Sequence, residues 1–574
     1  MFFSDETSNE YRGLNSKVYI PNYEKSKYIP LYLSGKTSKM LVAIEDEVFN
    51  DEVFSGIVIN ANIPFDFNII RFFITFAIIL VVFFIKKCKI FNEAYSSKSF
   101  KQEAILLILL FIFTAIIIFI NYYSSNDSES DMYNKLFVNA LKNKQLYLLE
   151  EPSKAFYNLQ DPYDYIERSS LKRNEDYLWD TAYFEGKQYV YFGILPVLVS
   201  FLPYNLITGK YLQTSTVVLI FSILTLLVLK ELFCKIINIF FENVKFKFVV
   251  YSLIILYSGS LILYLNGISR VYELVIIAGL FFVLLGLYYI LESMRNERKK
   301  YKCLFMGSLF LALSVACRPT DLFASILIVP YLVKLFIDGI KNNKNSIIKM
   351  VFSVGIPYFA VGILLMLYNY LRFKNPFEFG ANYQLTLINV GKLDSRVFSI
   401  PVGIITNFFS IPHFILKFPF ITNHNELIEF YGYYYIENMI GGIFLLAPIC
   451  FMNFYVIKVN KKTDNKSLKI IINSLLIVGL IIAILSIMKA GSNERYLVDY
   501  GWMLILSGIL IFIVLYNSLK SEESKKILEK IFVTVTIITF ILGILSGIVS
   551  EKEYMKNVSK EVYYKTRYII SFWE

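Results

Sequence analysis

Four carboxylates stand where they could do chemistry. Asp127, Glu129 and Asp131 follow directly on an apolar run near 104–123. Asp180 stands in Trp179-Asp180-Thr181-Ala182-Tyr183-Phe184, just before Gly186 and a second aromatic run, Tyr189-Val190-Tyr191-Phe192. A positioned carboxylate can take the proton of a hydroxyl as that hydroxyl attacks an electrophile. After Asp131, Met132, Tyr133, Leu136, Phe137, Ala140 and Leu141 recur at helical spacing, which predicts a helix along the membrane surface with Asp131 in its first turn. The competing reading makes Asp127, Glu129 and Asp131 a solvated linker ending in a helix cap. Asp180 between Trp179 and Tyr183 suits a sugar, with rings stacked on its face and a carboxylate accepting its hydroxyls. The alternative there is an interfacial aromatic belt. Asp161-Pro162-Tyr163-Asp164 reads as a turn.

Three arginines complete the set. Arg318 lies in Arg318-Pro319-Thr320-Asp321, between apolar runs at 303–318 and 322–337. At ~1.5 Å per residue, helices of that length cover ~24 Å, less than a ~30 Å hydrocarbon core. The turn joining them should therefore lie below the surface, where a guanidinium costs up to roughly 2.5–3.5 kcal/mol unless a partner or cavity receives it. Arg270 and Arg495 fall at the same ends of their own runs. Three arginines around one cavity suit a phosphate, because guanidinium binds phosphate oxygens in pairs. Local pairing is the alternative: Arg270 with Glu273, Arg318 with Asp321 and Arg495 with Asp499.

The frame that must position these groups is apolar. Of 574 residues, 56% are hydrophobic and only 18% charged, and the mean hydropathy is +0.53. The pattern predicts an all-α polytopic membrane protein with about twelve spans, near 69–85, 104–123, 210–233, 248–266, 271–291, 303–318, 322–337, 348–369, 437–457, 470–489, 497–517 and 531–549. Six short loops on one side hold 24 Lys and Arg against 10 Asp and Glu, whereas residues 124–209 hold 8 against 12. The positive-inside rule then places loop 1 (124–209), loop 2 (370–436) and both termini outside. The net charge of +11 sits mainly in the short loops and sets topology, so no nucleic-acid partner is implied. None of the five cysteines lies in either large loop, and two histidines cannot build a histidine-rich metal site.

Residues 1–65 are expected to form a small β-rich outer segment, with strands in KYIPLYLSG and SGIVINANIPFDFN. That segment has no apolar signal core. Either the first span inserts in reverse, or the segment is part of a domain that begins earlier. Residues 66–549 form the transmembrane domain, and 550–574 an outer tail.

With these residues in view, the chain resembles the GT-C class of bacterial membrane glycosyltransferases, in the mannosyl- and aminoarabinosyl-transferase-like group. The resemblance covers roughly residues 100–520. It rests on the acidic start of loop 1, its surface helices, YFGILPVLVSFLPYNLITG, the RPT turn and the late ERY element; IPFDFNIIRFF adds to it. It implies transfer of a hexose or pentose, with inversion, from a polyprenyl-phosphate donor to a lipid, glycan or protein acceptor outside a cell membrane. The catalytic carboxylate maps to Asp131, or to Asp127. Asp180, Trp179, Tyr183, Arg270, Arg318 and Arg495 would hold substrate. The adjacent acidic pair of many members is missing here, so no metal ligand is assigned, and a role for magnesium or manganese stays open. The rival expectation is a transporter or flippase for a lipid-linked envelope precursor. That design calls for ionisable residues near the midplane and paired broken helices.

Overall fold

The computed structural model describes the chain except residues 1, 7, 14–17, 21–23, 30–34, 38, 43–55, 63–66, 125–131, 343, 388–398, 424–427, 431–433, 550–553 and 572–574. Asp127, Glu129 and Asp131 thus lie outside the described residues. Lipid offers no hydrogen bonds, so an apolar run that crosses it must satisfy its backbone internally, as a helix does. The apolar runs form α1 (Ile69–Lys87), α2 (Phe100–Ser124), α3 (Thr214–Phe240), α4 (Phe246–Gly259), α5 (Ile262–Ile268), α6 (Val271–Arg295), α7 (Lys300–Val315), α8 (Val329–Asn342), α9 (Lys344–Phe373), α10 (Lys466–Ala490), α11 (Leu497–Ser518) and α12 (Glu522–Ile548).

Nine helices among the described residues are long and apolar enough to cross a membrane, counting α4–α5, Pro319–Lys341 and Glu494–Ser518 as continuous. The chain is a multi-pass membrane protein. Three of the twelve expected spans are not among the nine. They fall on α1, with 19 residues, on α7, with 16, and on an interrupted run. That run has helical turns at Ile443–Leu446, Pro448–Tyr455 and Val456–Lys462.

Helix α6 is the hub, packed against α3 and α7. Where α6 crosses α7, a Cβ on Gly286 would lie 2.9 Å from the Gly307 carbonyl, so only small residues allow this approach. The turn that starts α6 is tight. Ser269 is left-handed (φ 51°), and the Glu273 carboxylate accepts the Arg270 N–H at 3.1 Å.

The helix expected after Asp131 forms as a π-helical turn, Met132–Phe137, followed by an α-helical turn, Val138–Lys142. Tyr133, Phe137 and Ala140 are fully buried in the bundle's core, and Tyr133 donates to the Gly193 carbonyl at 2.6 Å. The apolar face therefore serves packing within the protein. Asp164 caps a short helix, Tyr165–Arg168, consistent with the expected turn before it.

At the N-terminus, β1 (Phe2–Asp5), β2 (Ser8–Gly13) and β3 (Lys39–Leu41) form a sheet in the order β2-β1-β3. The expected strands in 27–35 and 55–68 lie partly outside the described residues. Their described residues are 3-10 helix, bend, turn or irregular chain. Strands β1 and β2, FFSD and SNEYRG, pair as an antiparallel hairpin.

Candidate active site

Asp180 is held by a rigid turn. Strands β4 (Ala182–Phe184) and β5 (Lys187–Tyr189) form an antiparallel hairpin closed by Glu185-Gly186, both with positive φ, the turn that matches strand twist. Asp180 itself is left-handed (φ 58°), which Asp tolerates better than most residues. Gln188 fixes the turn from inside: its amide donates to Thr181 Oγ1 (2.8 Å) and to the Leu178 carbonyl (3.2 Å). Loop 2 fixes it from the other side, through Asp180 N–H to the Leu385 carbonyl (3.3 Å) and Leu385 N–H to the Thr181 carbonyl (2.8 Å).

The Asp180 carboxylate is half-buried and accepts a hydrogen bond from Tyr272 on the first turn of α6. Burial pushes its pKa above the ordinary carboxylate range, opposed by that bond and by the fields of Arg495, Arg270 and Arg173. Tyr191 meets Tyr272 with its hydroxyl oxygen at 3.1 Å. Burial, with Tyr272 and Asp180 nearby, drives the Tyr191 hydroxyl well up, so it keeps its proton. Tyr272 has one proton, and an ionised Asp180 carboxylate can only accept it in a hydrogen bond. Tyr191 must then be the donor in the 3.1 Å contact, making a chain Tyr191→Tyr272→Asp180.

Arg270 and Arg495 converge beside this chain. Both reach Glu273, which is fully buried: Arg270 Nε lies 3.6 Å from one oxygen and Arg495 Nη1 3.8 Å from the other. Arg495 also lies over the Tyr272 ring, 4.4 Å from its centroid. Two guanidiniums thus meet at one buried carboxylate beside Asp180. This is the electrostatic arrangement a phosphate ester would need, next to a group able to bind a hydroxyl.

Of the residues singled out in the sequence, Asp180, Arg270 and Arg495 come together. Arg318 has its own partner, Asp499, through Nη1 to Oδ1 at 2.5 Å. Two pairs of the local-pairing alternative take other partners. Arg318 takes Asp499 where Asp321 was expected, and Arg495 takes Glu273 where Asp499 was expected, because helices far apart in sequence meet here. Arg270 does pair with Glu273. Asp321 and Asp499 line a small cavity between α6, the 319–328 segment, α10 and α11. Trp179 and Tyr183 belong to the loop's own aromatic core, with Phe156, Tyr177 and Leu385. Arg173 lies over the Trp179 ring at 3.9 Å, and Tyr163 donates to the Tyr183 carbonyl at 2.8 Å.

Tyr191, Tyr272, Glu273 and Gln188 were missed as site residues. Tyr272 and Glu273 stand one helical turn from Arg270 in the same SRVYE stretch, and that spacing was the available signal. Among the described residues no group of three or more His, Cys, Asp or Glu could hold a metal ion. The five cysteines are free.

No protein-family model matches the chain, and no curated protein sequence matches it. Its structure is similar to the crystal structure of the Archaeoglobus fulgidus oligosaccharyltransferase, with TM-score 0.45 and 11% identity over 77% of this chain. The chain spans 56% of that protein's length. It is also similar to ArnT from Cupriavidus metallidurans bound to undecaprenyl phosphate, with TM-score 0.40 and 8% identity over 80% of this chain and 78% of the other.

Proposed function

We propose that the protein is a GT-C-like membrane glycosyltransferase that moves a sugar from a polyprenyl-phosphate donor to an acceptor on the side of the large loops. The observation that carries this reading is the convergence of Asp180, Arg270 and Arg495 around Tyr272, where loop 1 closes on an apolar bundle. In the reaction the acceptor oxygen attacks the anomeric carbon from the face opposite the phosphate, and the carbon–oxygen bond to phosphate breaks. The acceptor proton passes to Asp131, the carboxylate assigned as base. Polyprenyl phosphate leaves as an anion, and Arg270 and Arg495 stabilise the charge that grows on it. Asp180, oriented by Tyr272 and facing the arginines, binds a sugar hydroxyl. An apolar bundle suits a lipid-linked donor, whose tail stays in the bilayer. Loops 1 and 2 supply the acceptor side.

The test is sugar transfer by the purified protein from polyprenyl-phosphate sugars, read by mass spectrometry, alongside envelope glycans from cells with and without the chain. Asp131→Asn should remove transfer by ~10²–10⁴-fold, the usual worth of a general base. Normal transfer by Asp131→Asn with a dead Asp180→Asn would move the base to Asp180. No transfer by wild type from any such donor, with unchanged glycans in cells lacking the chain, would reject the reading.

A further inference from the structure

Glu494 precedes Arg495, yet its carboxylate is turned the other way. It is fully buried, and its Oε2 accepts the backbone N–H groups of Ile440 (2.9 Å) and Gly441 (3.4 Å). Those two residues follow loop 2 and lead into the turn Ile443–Leu446. The segment is tightly threaded: a Cβ on Gly442 would collide with the backbone of Phe408 and Phe409, and Gly442 N–H donates to the Ser410 carbonyl at 2.8 Å. A buried carboxylate is costly unless its oxygens are satisfied, so a glutamate here needs a reason beyond packing.

The neighbouring structure supplies one. Strands β6 (Ile428–Phe430) and β7 (Tyr434–Glu437), both in loop 2, pair with each other. Strand β8 (Ser492–Asn493) then adds to β7 in parallel. Asn493 caps the following turn by accepting the Arg495 N–H at 3.1 Å, and its amide donates to Glu437 at 3.3 Å. Loop 2 thus grips the chain on both sides of Glu494, immediately before the arginine that reaches Tyr272 and Glu273. The start of the same loop grips Asp180 through Leu385. Arg495 and Asp180 are both set in place by loop 2, one from each end.

We infer that Glu494 is a positioning residue: its clasp on Ile440 and Gly441 fixes where Arg495 presents its guanidinium to the Asp180 site. The inference rests on the proposed reading of that site, but its geometry can be tested separately. Glu494→Gln keeps an oxygen able to accept both N–H groups. Glu494→Leu keeps volume and removes the acceptor. Glu494→Asp keeps charge and shortens the reach, so it tests the clasp even where the leucine variant fails to fold.

Two readouts need no activity: hydrogen exchange at 438–446, and the rate at which phenylglyoxal modifies Arg495, located by peptide mass spectrometry. The glutamine variant should match wild type in both. The leucine and aspartate variants should exchange faster at 440–441 and expose Arg495 several-fold faster, with exchange at 178–190 unchanged. In transfer assays they should lower kcat about tenfold or more, and Glu494→Asp should add nothing to Arg495→Ala. Unchanged exchange and unchanged Arg495 reactivity in the aspartate variant would overturn the inference. So would fully additive losses in the double variant. A faithful clasp in a protein with no transfer activity would instead reject the transferase reading and leave the clasp standing.

Discussion

The two ends of the bundle handle buried charge differently. At the short-loop end, lysines staple helices together. Lys230 on α3 pairs with Glu103 on α2, Lys235 on α3 with Glu292 on α6, and Lys247 on α4 with Glu529 on α12. Each lysine has a carboxylate from another helix. At the large-loop end the cations are arginines, and they meet at one carboxylate. Arg270 and Arg495 share Glu273, while Asp180 is held by a tyrosine and by loop 2. A lysine ammonium is a compact point charge, adequate for joining two helices. A guanidinium is a planar fork that can hold one partner and keep donors for a second. The end where lysines tie helix to helix serves stability, and the end where two arginine forks meet at Glu273 beside Asp180 is suited to an anion.

That contrast is broken most directly by exchanging the cation type. Arg495→Lys keeps the charge and removes the fork. Charge-assisted hydrogen bonds contribute about 1.5–3 kcal/mol each. The expected outcome is therefore a roughly 10- to 150-fold rise in KM for the donor, with thermal stability close to wild type. Donor titration of the purified variant checks it. A matching loss of stability with unchanged KM would make Arg495 as structural as the lysines.

The converse test is at the short-loop end. Lys235 is nearly buried, with its ammonium 3.7 Å from the Tyr288 ring centroid, while Glu292 is partly exposed. Breaking a fully buried pair costs about 3–5 kcal/mol. Solvent around Glu292 reduces this, and Lys235→Met should cost about 1–2 kcal/mol. Lys235→Met with Glu292→Leu should recover most of it. Transfer per folded molecule should be unchanged in both, as measured by thermal unfolding beside the activity assay. Lost activity at full stability would erase the distinction between the ends.

How much of this was legible in the sequence follows from the range of each interaction. Apolar runs report helices locally, so all twelve expected spans fall on helical segments, although three of those segments are short or interrupted. Asp180 could be picked out because its neighbours 179–193 spell an aromatic hairpin with Gly186 at the turn. Arg270 and Glu273 are one turn apart on a helix, and their pairing could be read directly. Arg318 with Asp499 and Arg495 with Glu273 join residues about 180 and 220 positions apart. Nothing in local spacing encodes which distant carboxylate a buried arginine will meet, and the nearest one in sequence was the wrong choice in both cases. The sheet formed by residues 2–5, 8–13 and 39–41 was not legible for a related reason, since short runs of strand character are settled only by their pairing partners.

The smallest expected effect on stability concerns Asp180 and runs against the expectation that a charge facing opposite charges stabilises. Burial raises the Asp180 pKa in the folded protein relative to the unfolded chain, and Tyr272 and the arginines only partly oppose this. The folded state then holds the proton more tightly than the unfolded state does. Stability from this group is fully present below the unfolded pKa of about 3.9 and is lost as pH rises through the higher folded value. At neutral pH the ionised carboxylate therefore costs stability. Asp180→Asn keeps an oxygen to accept from Tyr272 and removes the charge. It should melt higher than wild type at pH 7.5, with the difference shrinking toward zero as pH approaches 4, while transfer is lost. Melting curves of both proteins across that range check it. A variant that melts lower than wild type at pH 7.5, by a margin that shrinks on acidification, would show that the arginines outweigh burial. Asp180 would then be one more structural pair, and the contrast between the two ends would fail at its central residue.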